Sequence, residues 1–203
     1  MRIGVLGTGM VGRAIAGRLQ ALGHDVRVGS RSAGDGAVVF ADAAAHGEVV
    51  FNCTAGSASL KALAAAGERN LAGKTLIDVS NALDFSSGGP ALFTTSTDSL
   101  GERIQAAFPE ARVVKALNTV NCNVMVDPTL VPGEHVVFVC GDDDAAKSQA
   151  RGLLGEFGWP AERVIDLGDI TGARSVEMYV MLWVRLWGVI GGPNFNVALL
   201  SGA

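Results

Sequence analysis

The chain has 203 residues, 49% apolar and 18% charged, with a formal net charge of −4. That length suits one compact domain, or one with a small appendage. Sparse charge without a Lys/Arg block excludes a nucleic-acid footprint.

The first strand is expected in "RIGVLG", starting at residue 2, which leaves no room for a signal peptide. "GTGMVG" follows, a G-x-G-x-x-G pattern with Gly7, Gly9 and Gly12 enclosing Thr8, Met10 and Val11. The first glycine permits a tight turn and the second lets backbone approach a pyrophosphate. The third allows close packing of helix on strand, while the helix N-terminus supplies N–H donors for the anion. Alone the pattern is weak. Here it follows a strand and opens an amphipathic helix with apolar positions Val11, Ile15, Leu19 and Leu22, and a second strand, "DVRVGS", comes next. This is the context of a dinucleotide site.

An NAD-binding chain would place an acidic residue at the end of that second strand. This chain has Ser30 and Arg31. A carboxylate would hold the ribose 2′-hydroxyl of NAD and repel the 2′-phosphate of NADP, whereas a guanidinium pairs with the phosphate and a serine hydroxyl can donate to it. The residues therefore point to NADP, the bland alternative being an exposed arginine after a strand.

"AVVF" (37–40) offers a minor strand, and "EVVFNCT" a third main one that ends in Thr54, Ala55 and Gly56. "SASLKALAAAGERNL" reads as a helix. "TLIDVSN" and "RVVKALN" are further strands, placing Asn81 after the first and Ala116, Asn118 and Thr119 at the end of the second, toward the nicotinamide half. Each asparagine is either a site residue or a turn residue bonding its own backbone. Between these strands "DFSSGGP" (84–90) is a loop. "HVVFVCG", the helix "DAAKSQARGLLGEF" and "RVIDLGD" complete the alternation. Near-continuous apolar strands of this kind predict an α/β fold of Rossmann type, a doubly wound, mostly parallel sheet with a C-terminal helix and short tail. Residues 1–168 are expected to form the NADP-binding domain and 169–203 the closing helix and tail, an acceptor-side cover and dimer contact.

That closing helix runs from about Thr171 to Ile190 and stops at Gly191-Gly192-Pro193. Its apolar core, residues 178–190, falls short of the roughly 20 residues needed to cross a bilayer, so no membrane association is expected. It is apolar on nearly every side, Trp183 and Trp187 included, so it should be buried all round and predicts a homodimer. Cys53, Cys122 and Cys140 lie far apart without metal-ligand spacing and read as free thiols in a reducing, cytoplasmic compartment, with no metal site. His24, His46 and His135 avoid strand carboxyl ends, so no catalytic acid or base is expected. Lys115 reads as a solvated or strand-face lysine.

Taken together, "LQALGHDVRVGSR", "RVVKALNTV", "VVFVCGDDDAAKSQARGLL" and "GDITGARSVEMYVMLWVRLWG" resemble the NADPH-dependent reductases of the deazaflavin coenzyme F420, along almost the whole chain. The resemblance implies that Thr8, Ser30 and Arg31 hold the 2′-phosphate. It further implies that the loop after the third strand lines the nicotinamide, and that F420, a small-molecule acceptor, stacks over that ring against residues 118–122 and the closing helix. Hydride would pass directly between the rings without an acid or base. Two features depart from the family pattern. The segment after Arg31, "SAGDG", supplies no further basic residue, and Asn118–Cys122 replaces a histidine-containing turn of archaeal members. The same fold also serves as the NADPH module of membrane metalloreductases. Reduction of another acceptor (a flavin, quinone or small carbonyl) and a non-catalytic NADPH-sensing role are the alternatives.

Overall fold

The fold was obtained as a computed structural model and is described for residues 1–86 and 88–202. In chain order the elements are β1 (Arg2–Leu6), α1 (Met10–Ala21), β2 (Asp25–Ser30), β3 (Val38–Val39), α2 (Phe40–His46), β4 (Val49–Asn52), α3 (Gly56–Ala66), α4 (Glu68–Leu71) and β5 (Thr75–Asp78). After them come β6 (Leu83–Asp84), β7 (Ala91–Leu92), α5 (Leu100–Ala107), β8 (Arg112–Ala116), α6 (Cys122–Val126), β9 (Val137–Cys140), α7 (Asp144–Phe157), β10 (Val164–Asp166) and α8 (Ala173–Ile190).

One sheet of eight strands carries the order β10-β9-β8-β5-β4-β1-β2-β3. From β3 to β8 every pairing is parallel; β9 runs antiparallel to β8, and β10 follows β9 in parallel. The expected Rossmann-type architecture is therefore present, with its two outer strands reversed. Winding changes direction between β1 and β4, which opens a crevice at the carboxyl ends of the strands.

Alternating strand residues feed two cores. Ile3, Val5, Phe51, Ile77 and Val114 pack on one face with Ile15 and Leu19 of α1 and Leu153, Leu154 and Phe157 of α7. Leu6, Val50, Leu76 and Val113 pack on the other with Phe40 and Ala43 of α2, Leu63 of α3 and Ile104 of α5. Both faces are covered, which is why these strands read as continuous apolar runs.

Some boundaries differ from expectation. The Ala-rich helix is two, α3 and α4, because Gly67 adopts φ 89° and turns the chain between them. Only Val38–Val39 of "AVVF" pairs as a strand; Phe40 begins a short helix and buries its ring. Of the expected 84–90 loop, Asp84 ends β6 in a small antiparallel hairpin with β7, and Ser87 lies outside the described residues. The closing helix starts at Ala173, after a single 3-10 turn over Ile170–Gly172.

Within the single chain the closing helix is covered only in part, as expected of a helix that needs a partner. Its buried residues are Ala173, Val176, Glu177 and Val180, all in the first half. Beyond them the helix passes the domain edge and leaves Leu182, Trp187, Val189 and Ile190 exposed. The tail folds back toward β9: Val136 N donates to Val197 O at 3.0 Å, and Phe195 stacks on Trp183 with ring centroids 5.3 Å apart.

Candidate active site

The glycine motif begins at the β1–α1 turn. Gly7 holds φ 120°, a conformation open to glycine and rarely to other residues. A Cβ on Gly12 would sit 2.0 Å from Gly7 O, so only a hydrogen there lets α1 pack on the turn. A Cβ on Gly9 would meet nothing within 4 Å. Open space above the N-terminus of α1, where unpaired backbone N–H groups collect, suits a phosphate group.

A cleft of about 880 Å³ opens from this turn. Gly7, Thr8, Gly9, Ser30, Arg31, Thr54 and Ala55 all line it, so the ends of β1, β2 and β4 converge on one cleft. Its remaining walls come from Ser32, from Val39–Ala41 at the start of α2, from Cys53 after β4, and from Ala58, Lys61, Ala62 and Ala65 of α3. Ser30 Oγ donates to Ser32 O, which shapes the turn that carries Arg31.

The other expected site residues stand apart from these walls. Met10 is the exposed first residue of α1 and Val11 is half-buried beside it. Gly56 opens α3, where a Cβ would lie 1.9 Å from Asn81 O, so the third-strand loop and the β5 loop are locked against each other. Asn81 Nδ2 donates to Asn118 O at 2.8 Å, while Asn118 Nδ2 donates to Asn81 Oδ1 and to Val176 O, each at 3.0 Å. Both asparagines thus join the ends of β5 and β8 and tie them to α8, rather than bonding their own turns. Leu117, just before, is a buried non-glycine residue at φ 62°, and this strained geometry turns the chain at the strand end. Ala116 is fully buried and paired with Val139 in the sheet, which leaves it no exposed surface.

Lys115 corrects the sequence reading most sharply. It is neither solvated nor on an open strand face but fully buried, with Nζ 2.5 Å from Asp78 Oδ2, 2.8 Å from Glu177 Oε1 and 2.8 Å from Ser80 O. Burial pushes its ammonium pKa down, but the Asp78 and Glu177 carboxylates outweigh that and hold it above the ordinary lysine value. Glu177 also accepts from Leu100 N at 2.8 Å and Gly101 N at 2.9 Å, capping α5 from α8. Asp78 Oδ1 accepts from Asn52 Nδ2 at 2.8 Å, and Asn52 Oδ1 accepts from Thr54 Oγ1 at 2.7 Å. One connected network therefore runs from α8 beneath three strand ends to the loop at Thr54. Beside it, burial and then the Asp78 charge push the Cys53 thiol far up.

Thr119 Oγ1, Tyr179 OH and Trp183 Nε1 are shielded from water yet have no hydrogen-bond partner among the described residues. Buried polar atoms without partners are uncommon, and a ligand or second chain would satisfy them.

A family model described as "NADP oxidoreductase coenzyme F420-dependent" matches residues 2–82. A solved structure from Arthrobacter sp. FB24, provisionally named an F420-dependent NADP-reductase, is 48% identical; the match covers 99% of this chain and 100% of that one, with a TM-score of 0.93. The chain belongs to the coenzyme F420-dependent NADP oxidoreductase family. Members of this family are NADP-dependent oxidoreductases, and so is this chain. It is also 30% identical over 200 residues to the metalloreductase STEAP3 of Rattus norvegicus, where the match takes in 93% of this chain but spans only 38% of the relative. An Aspergillus terreus imine reductase solved with NADPH4 is 20% identical, with a TM-score of 0.66 over 94% of this chain and 62% of that one, and shares the fold.

Sequence reasoning missed the α3 wall of the cleft and the Asp78–Lys115–Glu177 cluster. A signal existed for the first: a helix that follows a strand-end loop presents its exposed face to whatever that loop binds. For the second there was none, since nothing in the local sequence pairs Glu177 with Lys115.

Proposed function

We propose that the chain transfers hydride between NADP(H) and the deazaflavin coenzyme F420. One observation carries this reading: a phosphate-ready crevice has a cation, Arg31, at the end of β2, while the charged groups beneath the neighbouring strand ends are consumed in an internal network. Such a site can bind and orient, and the charged groups buried beneath the strand ends are not free to exchange protons with a substrate.

NADPH supplies a hydride from its nicotinamide C4. The chain's part is positioning: the N-terminus of α1 receives the pyrophosphate, Thr8, Ser30 and Arg31 take the 2′-phosphate, and Thr54–Gly56 line the nicotinamide. Asn81, Asn118 and the buried cluster hold the strand-end loops at fixed separation. Holding two reacting rings at contact distance lowers the barrier without an acid or base. The free polar atoms of Thr119, Tyr179 and Trp183 support an acceptor or partner on the α8 side.

Mixing protein, NADPH and oxidised F420 tests the reading through loss of deazaflavin absorbance. Likeness to a metalloreductase favours a second reading, in which the acceptor is an ordinary flavin; a flavin added in place of F420 separates the two.

The apolar end of α8 supports a homodimer. Leu182, Trp187, Val189 and Ile190 of the helix and Leu199 and Leu200 of the tail are large apolar side chains left exposed. A second copy of the chain is the proposed cover. The free thiols at Cys53, Cys122 and Cys140 suit a reducing, cytoplasmic setting.

A further inference from the structure

We propose that Lys61 is the second cation that reads the cofactor's 2′-phosphate, supplied from α3 in place of a basic residue after Arg31. The proposal rests on the reading of the cleft as an NADP(H) site. Three observations carry it.

Lys61 lines the same cleft as Ser30, Arg31 and Ser32, although 30 residues separate it from Arg31 in the chain. The other α3 residues on that wall are Ala58, Ala62 and Ala65. Short side chains leave room for a flat ring, and Lys61 is the one α3 side chain there long enough to reach across.

Both cations are uncommitted. Among the described residues neither Arg31 nor Lys61 forms an ion pair or a side-chain hydrogen bond; Arg27, Arg69 and Arg185 are likewise unpaired, but only Arg31 and Lys61 of these five line the cleft. Two like charges aimed at one cleft repel each other until an anion enters. A phosphate monoester, with a charge of about −1.5 to −2 at neutral pH, answers both.

The turn beyond Arg31 brings no cation of its own. Ser32 to Gly36 contains one charged residue, Asp35, held at φ 51° between two glycines. With an acid on that side, any second positive charge at the cleft comes from another element.

The test measures equilibrium binding of NADPH and NADH to the full chain, for wild type, Arg31→Ala, Lys61→Met and Lys61→Arg, at low and high salt. Lys61 is exposed, so its variants should fold, and unchanged melting temperatures check this. Lys61→Met is expected to weaken NADPH about tenfold, to leave NADH nearly unchanged, and to blunt the salt dependence of NADPH binding. Lys61→Arg should keep most of the NADPH affinity. If Arg31→Ala weakens NADPH while Lys61→Met does not, Lys61 has no such role and the reading of the cleft survives. If Lys61→Met weakens both dinucleotides equally, Lys61 contacts a shared part of the cofactor and the proposal is overturned. If wild type prefers NADH, the cleft reading falls and takes this proposal with it.

Discussion

We propose that Arg31, at the cleft end of β2, selects between the two cofactors by the sign of its charge. Arg31→Asp replaces an attraction with a repulsion at the 2′-phosphate, a difference on the order of 2–4 kcal/mol. NADPH binding should collapse and NADH binding improve, as titration of both dinucleotides would reveal; an unchanged preference would contradict the assignment. Lys115 acts on stability instead. Lys115→Met leaves Asp78 and Glu177 buried without their shared cation, which costs about 3–5 kcal/mol in unfolding free energy measured by denaturant titration. A raised folded-state lysine pKa contributes stability that is complete below the ordinary value of 10.5 and is lost as pH rises through the folded value. Cys140 has the same sign: burial pushes its thiol from 9.0 up to about 12. The melting temperature should therefore fall progressively above pH 9.0, the ordinary thiol value. A level profile from pH 9.0 upward would contradict the burial of the Cys140 thiol. The place of Arg31 at the cleft was legible because it follows from position at a strand end. Lys115 was not, because its partners come from β5 and α8, and only the tertiary fold makes them neighbours.

Elements were legible where one local rule governs them. The seven longer strands and α1 and α7 follow from apolar runs and helical spacing, since each is covered by the fold that those patterns imply. Short elements were not. The seven residues of α2 and five of α6 are too few for a period to emerge. For α5 a signal was present in Ser99-x-x-Glu102, where Ser99 caps Glu102 N at 3.1 Å. The direction of β9 is also invisible locally, because a strand's sequence does not state which way its neighbour runs. Packing between elements hinges on Gly12. Gly12→Ala forces a methyl group into Gly7 O, so α1 must move off the turn. The expected loss is about 1–3 kcal/mol of stability together with most of the NADPH affinity. Wild-type melting and wild-type binding in this variant would mean that the contact between helix and turn does not matter.

The whole molecule combines a rigid strand-end platform with an apolar arm. Glu177 and the Asn118 contact with Val176 anchor the first half of α8 to the platform, and the second half extends beyond it. Trp187 is 46% exposed there, and Trp187→Glu should convert a dimer to monomer in sedimentation at micromolar concentration. A wild type that sediments as a monomer would remove the arm's proposed role. The helix's apolar girth was visible in the sequence, but the point where it leaves the domain was not, since that depends on how far the sheet extends beneath it. Hydride transfer from NADPH to F420 is the claim on which the functional account turns. Its most direct measurement supplies NADPH carrying deuterium at the transferred C4 position, with oxidised F420, and follows both deazaflavin absorbance and the label. The expected result is bleaching of F420 with one NADPH consumed per deazaflavin and the deuterium recovered in the reduced ring. Unchanged F420 absorbance, while a flavin is reduced by the same protein and NADPH, would contradict the account.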